Sequence, residues 1–238
     1  MTTWRTEHGN AIWLILFLIG LFGILTSIIS RNSSSVNQTG DIEKARIKAS
    51  TLLRYSKSVE TAIQTMLLKG ISANDLDFSA INSSHNNPNC NSDDCNVFSL
   101  AGGGITYRTP SDIINDASYT GNWRVTTSNR VFQMGCDTQS SACAEMILLA
   151  PGIPLDVCLQ VNAAQGIINP NGDAPQQQEV VVGQAYSGTY STIINNVFIG
   201  GDSATNESLQ VQGKTAGCVF EFSGGQDTYH FYQVLVTR

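Results

Sequence analysis

From Ala11 to Ile29 the chain runs through 19 residues without a charge, AIWLILFLIGLFGILTSII, with Thr26 and Ser27 as its strongest polar groups. No other feature restricts the fold as much, because a helix apolar on every side cannot face water and must be buried in lipid or among other helices. As an α-helix the run spans roughly 28 Å, enough for a bilayer core. Cleavable secretion signals have a shorter apolar region of about 7–15 residues followed by a small-residue cleavage site. Ser27-Ile28-Ile29-Ser30-Arg31 is a poor one, so a retained transmembrane helix is expected. Gly20 and Gly23 lower helix propensity in water, but within a membrane or bundle they let helices approach closely.

Cysteine spacing sets the compartment. The six cysteines include two tight groups, Cys90/Cys95 in NCNSDDCN and Cys136/Cys143 in CDTQSSAC, and leave Cys158 and Cys218. The even count and short turn-rich intervals favour pairing Cys90 with Cys95, Cys136 with Cys143 and Cys158 with Cys218, although sequence alone leaves other connectivities open. A zinc site is the rival use of four thiolates, but its usual C-x2-C spacing is missing. Disulfides imply an oxidising compartment. The flanking charges (Arg5 on one side; Arg31, Lys44, Arg46 and Lys48 on the other) do not favour export, yet large domains translocate largely regardless of charge. The expectation is therefore a single pass through the (inner) membrane with a periplasmic or extracellular C-terminal domain.

Behind a polar linker at 31–40, apolar or small residues recur at Ile42, Ala45, Ala49, Leu52, Ser56, Val59, Ile63 and Met66 in alternating steps of three and four. That is one stripe of an amphipathic helix, closed by Gly70 in a left-handed cap. From Ser72 the texture changes to short β-type runs between turn residues. Strands are expected at 105–108, 123–127, 131–134, 145–150, 180–182, 196–199, 209–211, 218–222 and 229–236, the last of them central. One further helix follows Pro154, with Leu155, Cys158, Leu159 and Asn162 on one face, and residues 169–178 are expected to form a surface loop. The fold class is α+β: a transmembrane helix and an amphipathic helix packed on a largely antiparallel, disulfide-bonded β domain with one further helix.

The net charge of −6 and the absence of a Lys/Arg cluster argue against nucleic acid. No nucleophile, metal-protease or phosphate-loop motif is present, so neither an enzyme nor a cofactor is expected. Gly102–Gly104 lacks the lysine of a phosphate loop and is expected to be a turn leading into a strand. His8, His85 and His230 are scattered, and His230 is expected as a half-buried sheet residue. Asn89, Asn91, Asp93 and Asp94, and separately Asn169, Asn171 and Asp173, are weak hard-oxygen groupings that Asx turns explain equally well. Sequons occur at Asn32, Asn37, Asn82 and Asn206. Tyr107, Tyr119, Trp123, Tyr186 and Tyr190 are expected in the core before any ligand surface, and no small-molecule ligand is identified.

A short polar leader ending in Gly9, an apolar helix, an amphipathic helix and a disulfide-bearing β domain together resemble type IV pilins and pseudopilins. That resemblance implies cleavage after Gly9, a new N-terminus at Asn10 and a filament core built from the helix at 10–30, with residues 41–238 as the extracytoplasmic domain. The family usually has Phe or Met first and glutamate fifth after the cut; Asn10 and Leu14 stand there, and a few tip-type minor pseudopilins also lack that glutamate. LAGGGITYR, PGIPLDVCLQVN and YHFYQVLVTR also resemble membrane-anchored pilin-like proteins of bacteria. The implied partners are membrane lipid and further copies of the chain or related pilin-like subunits. Gly20, Gly23, Ile42, Ala49, Leu52, Val59, Ile63 and Met66 are the expected helix-packing residues. The alternative is a permanently anchored extracytoplasmic binding or adhesion module that does not polymerise.

Overall fold

The computed structural model describes residues 10–115, 118–119, 121–135, 144–177, 180, 184–190, 198–199, 209–223 and 226–238, with the backbone alone described at 10–12, 23–39, 198–199 and 223. It divides into two compact units, Met1–Lys44 and Ala45–Arg238. The helix α1 (Asn10–Leu68) belongs to both and is continuous. The linker expected at 31–40 is therefore helical in its backbone. Its Ser, Asn and Thr residues are weak helix formers, each costing about 0.5 kcal/mol against alanine. Breaking the helix there would instead leave unpaired backbone groups at two new ends.

In the second unit α1 buries the expected stripe: Ala45, Ala49, Leu52, Ser56, Val59, Ile63 and Met66 are all 2% exposed or less. Ile42, in the first unit, departs from it at 44% exposed. The helix ends as its sequence dictates. Gly70 has φ 94°, its N–H donates to Leu67 O (3.0 Å), and Ile71 N–H donates to Met66 O (3.1 Å). This reciprocal pair defines the Schellman cap, which satisfies two of the carbonyls a helix end leaves open.

The sheet against which this stripe packs has five strands in the order β1 (Arg124–Thr126), β3 (Met146–Ile153), β7 (Gln226–Val236), β6 (Ala216–Ser223), β4 (Gln176–Gln177). All pairings are antiparallel except β4 with β6. A separate parallel pair joins β2 (Arg130–Val131) to β5 (Phe198–Ile199). β7 is central, as its apolar length suggests, and alternation sorts its side chains. Phe231 and Leu235 join Met146, Leu148, Ala150 and the α1 stripe in one core; Tyr232 and Val234 join Ile147, Leu149, Val219 and Val211 in a second core on the opposite face. The helix α2 (Leu155–Ala164) packs into the first core through Val157, Cys158 and Val161. Its buried face differs from the expected one, since Leu155 is 37% exposed and Pro154 is the N-cap instead of the first helical residue.

Several expected strand or loop assignments change, among them residues 131–134, of which only Val131 lies in a strand while 132–134 turn. Residues 105–108 form no strand. Side chains satisfy their backbone instead: the Tyr55 hydroxyl accepts from Arg108 N–H (2.9 Å) and donates to Thr106 O, and Trp123 Nε1 donates to Arg108 O. Leu209–Val211 is a 3-10 turn. Gln176–Gln177, expected within a loop, pairs with β6; two polar residues carry no strand periodicity to reveal it.

Candidate functional site

The described part of the apolar run is exposed on every side. Trp13, Leu14, Ile15, Leu16, Phe17, Leu18, Ile19, Leu21 and Phe22 are between 44% and 77% exposed. A Cβ placed on Gly20 would meet nothing within 4 Å. Burying a large apolar side chain is worth about 1.5–3 kcal/mol, so covering these nine would release on the order of 15 kcal/mol, far more than any helix-propensity term. Among the described residues no helix is long and apolar enough to cross a membrane; of the run, side chains are described only at 13–22. Gly9 lies outside the described residues, and Asn10 and Gly23 are described in backbone only. Ala49, Leu52, Val59, Ile63 and Met66 are occupied by their own domain's core.

In the second unit, side chains satisfy backbone groups left open on β6 and on the outer strand β1. On β6, Asn162 of α2 turns its amide onto Cys218: Nδ2 donates to Cys218 O (2.9 Å) and Oδ1 accepts from Cys218 N–H (2.8 Å). One helical turn earlier, Cys158 forms its disulfide with the same residue, Cα–Cα 5.4 Å. On β1, Val125 N–H donates to His85 Nε2 (3.1 Å), and Val125 O accepts from Tyr186 N–H (2.8 Å). Because Nε2 accepts, Nδ1 carries the proton and donates to Asn82 Oδ1 (2.9 Å). His85 is thus a neutral, fully buried brace.

The loop that delivers His85 is organised by Asp77. Its Oδ1 accepts from Asn87 N–H (2.8 Å) and its Oδ2 from Asn96 Nδ2 (3.0 Å) and from the hydroxyl and N–H of Ser79. Cys90 and Cys95 are bonded nearby. Gly102 and Gly103 pack directly on the backbone at Asn96 and Val97, where a Cβ on either would collide with a carbonyl oxygen. The glycines form the expected turn, for a steric reason the sequence does not state.

Asp93 and Asp94 are exposed in a 3-10 turn, and Asn91 donates to the Asn89 carbonyl. Among the described residues no three His, Cys, Asp or Glu converge; the Asn residues of the two oxygen groupings lie outside that set. Cys136 and Cys143 lie outside the described residues, as do His8, Asn206 and residues 181–182 and 196–197 of the expected strands. Trp123 and Tyr186 are core residues, and Tyr107, Tyr119 and Tyr190 are partly buried against that core. His230 is fully buried, not half-buried, and its Nε2 stands 3.6 Å from Glu221 Oε2. Of the sequon asparagines, Asn82 is occupied as the cap of a 3-10 turn.

Two buried groups titrate in opposite senses. Burial, with the Arg124 charge, lowers His85 to about 4. Burial raises Glu145, whose Oε2 accepts from Val131 N–H, to about 7. The His85 contribution to stability is complete above about pH 6.5 and is lost as pH falls toward 4. The Glu145 contribution is complete below about pH 4.5 and is lost as pH rises toward 7. The two slopes oppose one another between pH 4.5 and 6.5. Glu145→Gln is expected to unmask the histidine, so that stability falls with acidification at up to about 1.4 kcal/mol per pH unit. Urea unfolding of both proteins across that window checks this; parallel profiles would contradict it.

No protein family, curated protein or solved structure matches the chain.

Proposed function

We propose that the chain is a structural subunit of a type IV pilus-like or type II secretion-like filament. Its N-terminal helix anchors it in the membrane and then passes into a filament by helix-to-helix packing. The disulfide-bonded domain is held in the periplasm or outside the cell. The observation behind this reading is the set of large apolar side chains at 13–22, exposed on all sides of α1. They require a continuous apolar environment, and lipid and a helical bundle both supply one. Transfer between the two costs little, because lipid tails are as apolar as leucine and small residues such as Gly20 permit close packing.

This role makes the helix a mobile anchor, whereas a permanently anchored adhesion module would keep it in lipid. Processing separates the two. Mass spectrometry of the protein purified from its native membrane is expected to find Asn10 as the first residue. An intact residue 1–9 segment would favour the permanent anchor and count against the filament subunit.

A further inference from the structure

We infer that the groove beside α1 in the second unit binds a carboxylate-bearing sugar chain. The groove has a volume of about 620 Å³ and runs between α1 and the segment that follows Ile105, within the range of small-molecule and oligomer sites. Beneath it Leu52, Ile113 and Trp123 are buried, and the half-buried Tyr55 ring, stacked on Trp123 at 5.6 Å between centroids, is the aromatic surface it offers.

Arg54 and Arg108 line the walls. Both are exposed, and neither guanidinium has an ion-pair or hydrogen-bond partner among the described residues. Lys44 and Lys57, by contrast, each hold a neighbouring carboxylate. A guanidinium without a partner can take a carboxylate in a bidentate fork.

Three of the lining hydroxyls are left as acceptors, while Thr106 adds an exposed hydroxyl. Thr51, Ser58 and Thr109 have each committed the hydroxyl proton to a backbone carbonyl, of Ile47, Arg54 and Gly121 respectively. They have only oxygen lone pairs left to offer. Asp112 adds a carboxylate to the same lining. A ligand that suits these groups presents negative charge to the arginines, hydroxyl donors to these oxygens, and a C–H face to the half-buried Tyr55 ring, whose face is negative. A uronic acid oligomer has all three. An acidic peptide supplies the charge without the hydroxyls, and a neutral sugar the hydroxyls without the charge. Nothing here depends on whether the chain polymerises.

Calorimetric titration of the full chain in uncharged detergent tests the inference, with a galacturonic acid oligomer, the matching galactose oligomer and a polyglutamate peptide as probes. The galacturonate is expected to bind at least about tenfold more tightly than the other two. Arg54→Gln and Arg108→Gln should each weaken it by about tenfold or more, the value of one charge-assisted contact. Lys69→Gln, which removes the same charge elsewhere, should leave it unchanged. The inference is overturned by undetectable galacturonate binding, by equal binding of the peptide or the neutral sugar, or by equal losses in all three variants.

Discussion

Exchanging Cys158 and Cys218 together for alanine is expected to lower the stability of the second unit by about 4 kcal/mol, the loop-entropy value for a closed loop of 60 residues. Local geometry sharpens the prediction. Cys158 and Asn162 lie one turn apart on α2 and both act on Cys218, one through sulfur and the other through the backbone N–H and C=O. Asn162→Leu leaves both of those buried backbone groups unpaired and is expected to cost about 2–3 kcal/mol alone. The two losses should not add, because without the disulfide α2 is freer to leave β6 and the Asn162 bonds are already weakened. Urea unfolding of the two variants and their combination measures all three terms. A combined loss equal to the sum of the separate losses would mean that the bridge and the amide act on independent parts of the fold.

Gly103→Ala is expected to cost about 2–4 kcal/mol, far above the usual effect of adding one methyl group. The new Cβ would meet the Val97 carbonyl oxygen, and the obstacle is backbone, which cannot rotate away as a flexible side chain could. The same change at Gly102 meets the Asn96 carbonyl. Gly104 is the internal control: its φ is 69°, but only Leu100 O, at 3.9 Å, lies near a Cβ there. Gly104→Ala should therefore cost only the left-handed backbone term of about 1–2 kcal/mol. Equal losses at Gly103 and Gly104 in thermal unfolding would show that turn conformation, and not close approach to 96–97, is what these glycines provide.

Periodic features were legible in the sequence. The three-and-four spacing from Ala45 to Met66 identified the buried stripe, Gly70 marked its cap, and the apolar YHFYQVLV run marked the central strand. Short intervals gave the Cys90–Cys95 pairing, and the remaining long pair tied α2 to β6. What was not legible depends on side chains that satisfy distant backbone. The ITYR run has strand propensity, yet Tyr55 and Trp123 take its hydrogen-bonding groups before another strand can. His85 in an Asn-rich loop gave no sign that it braces β1, because its partner lies 40 residues away. Asp77 and Asn162 look like ordinary loop and helix residues until their partners are placed. Two-residue strands such as β4 are too short to carry a period. Arg54 and Arg108 share a groove through the path of the chain alone.

The exposed apolar surface of α1 carries the functional account, and immunoelectron microscopy of native cells tests it most directly. An antibody raised against the domain at 45–238 should decorate surface or periplasmic filaments along their length or at their tips. A chain carrying Leu16→Glu and Ile19→Glu should leave those filaments unlabelled while its domain stays folded and oxidised, because charge within the run opposes both lipid burial and helix packing. Label confined to the membrane, unchanged in pattern when the chain is intact, or filaments still decorated in the doubly charged variant, would contradict the account.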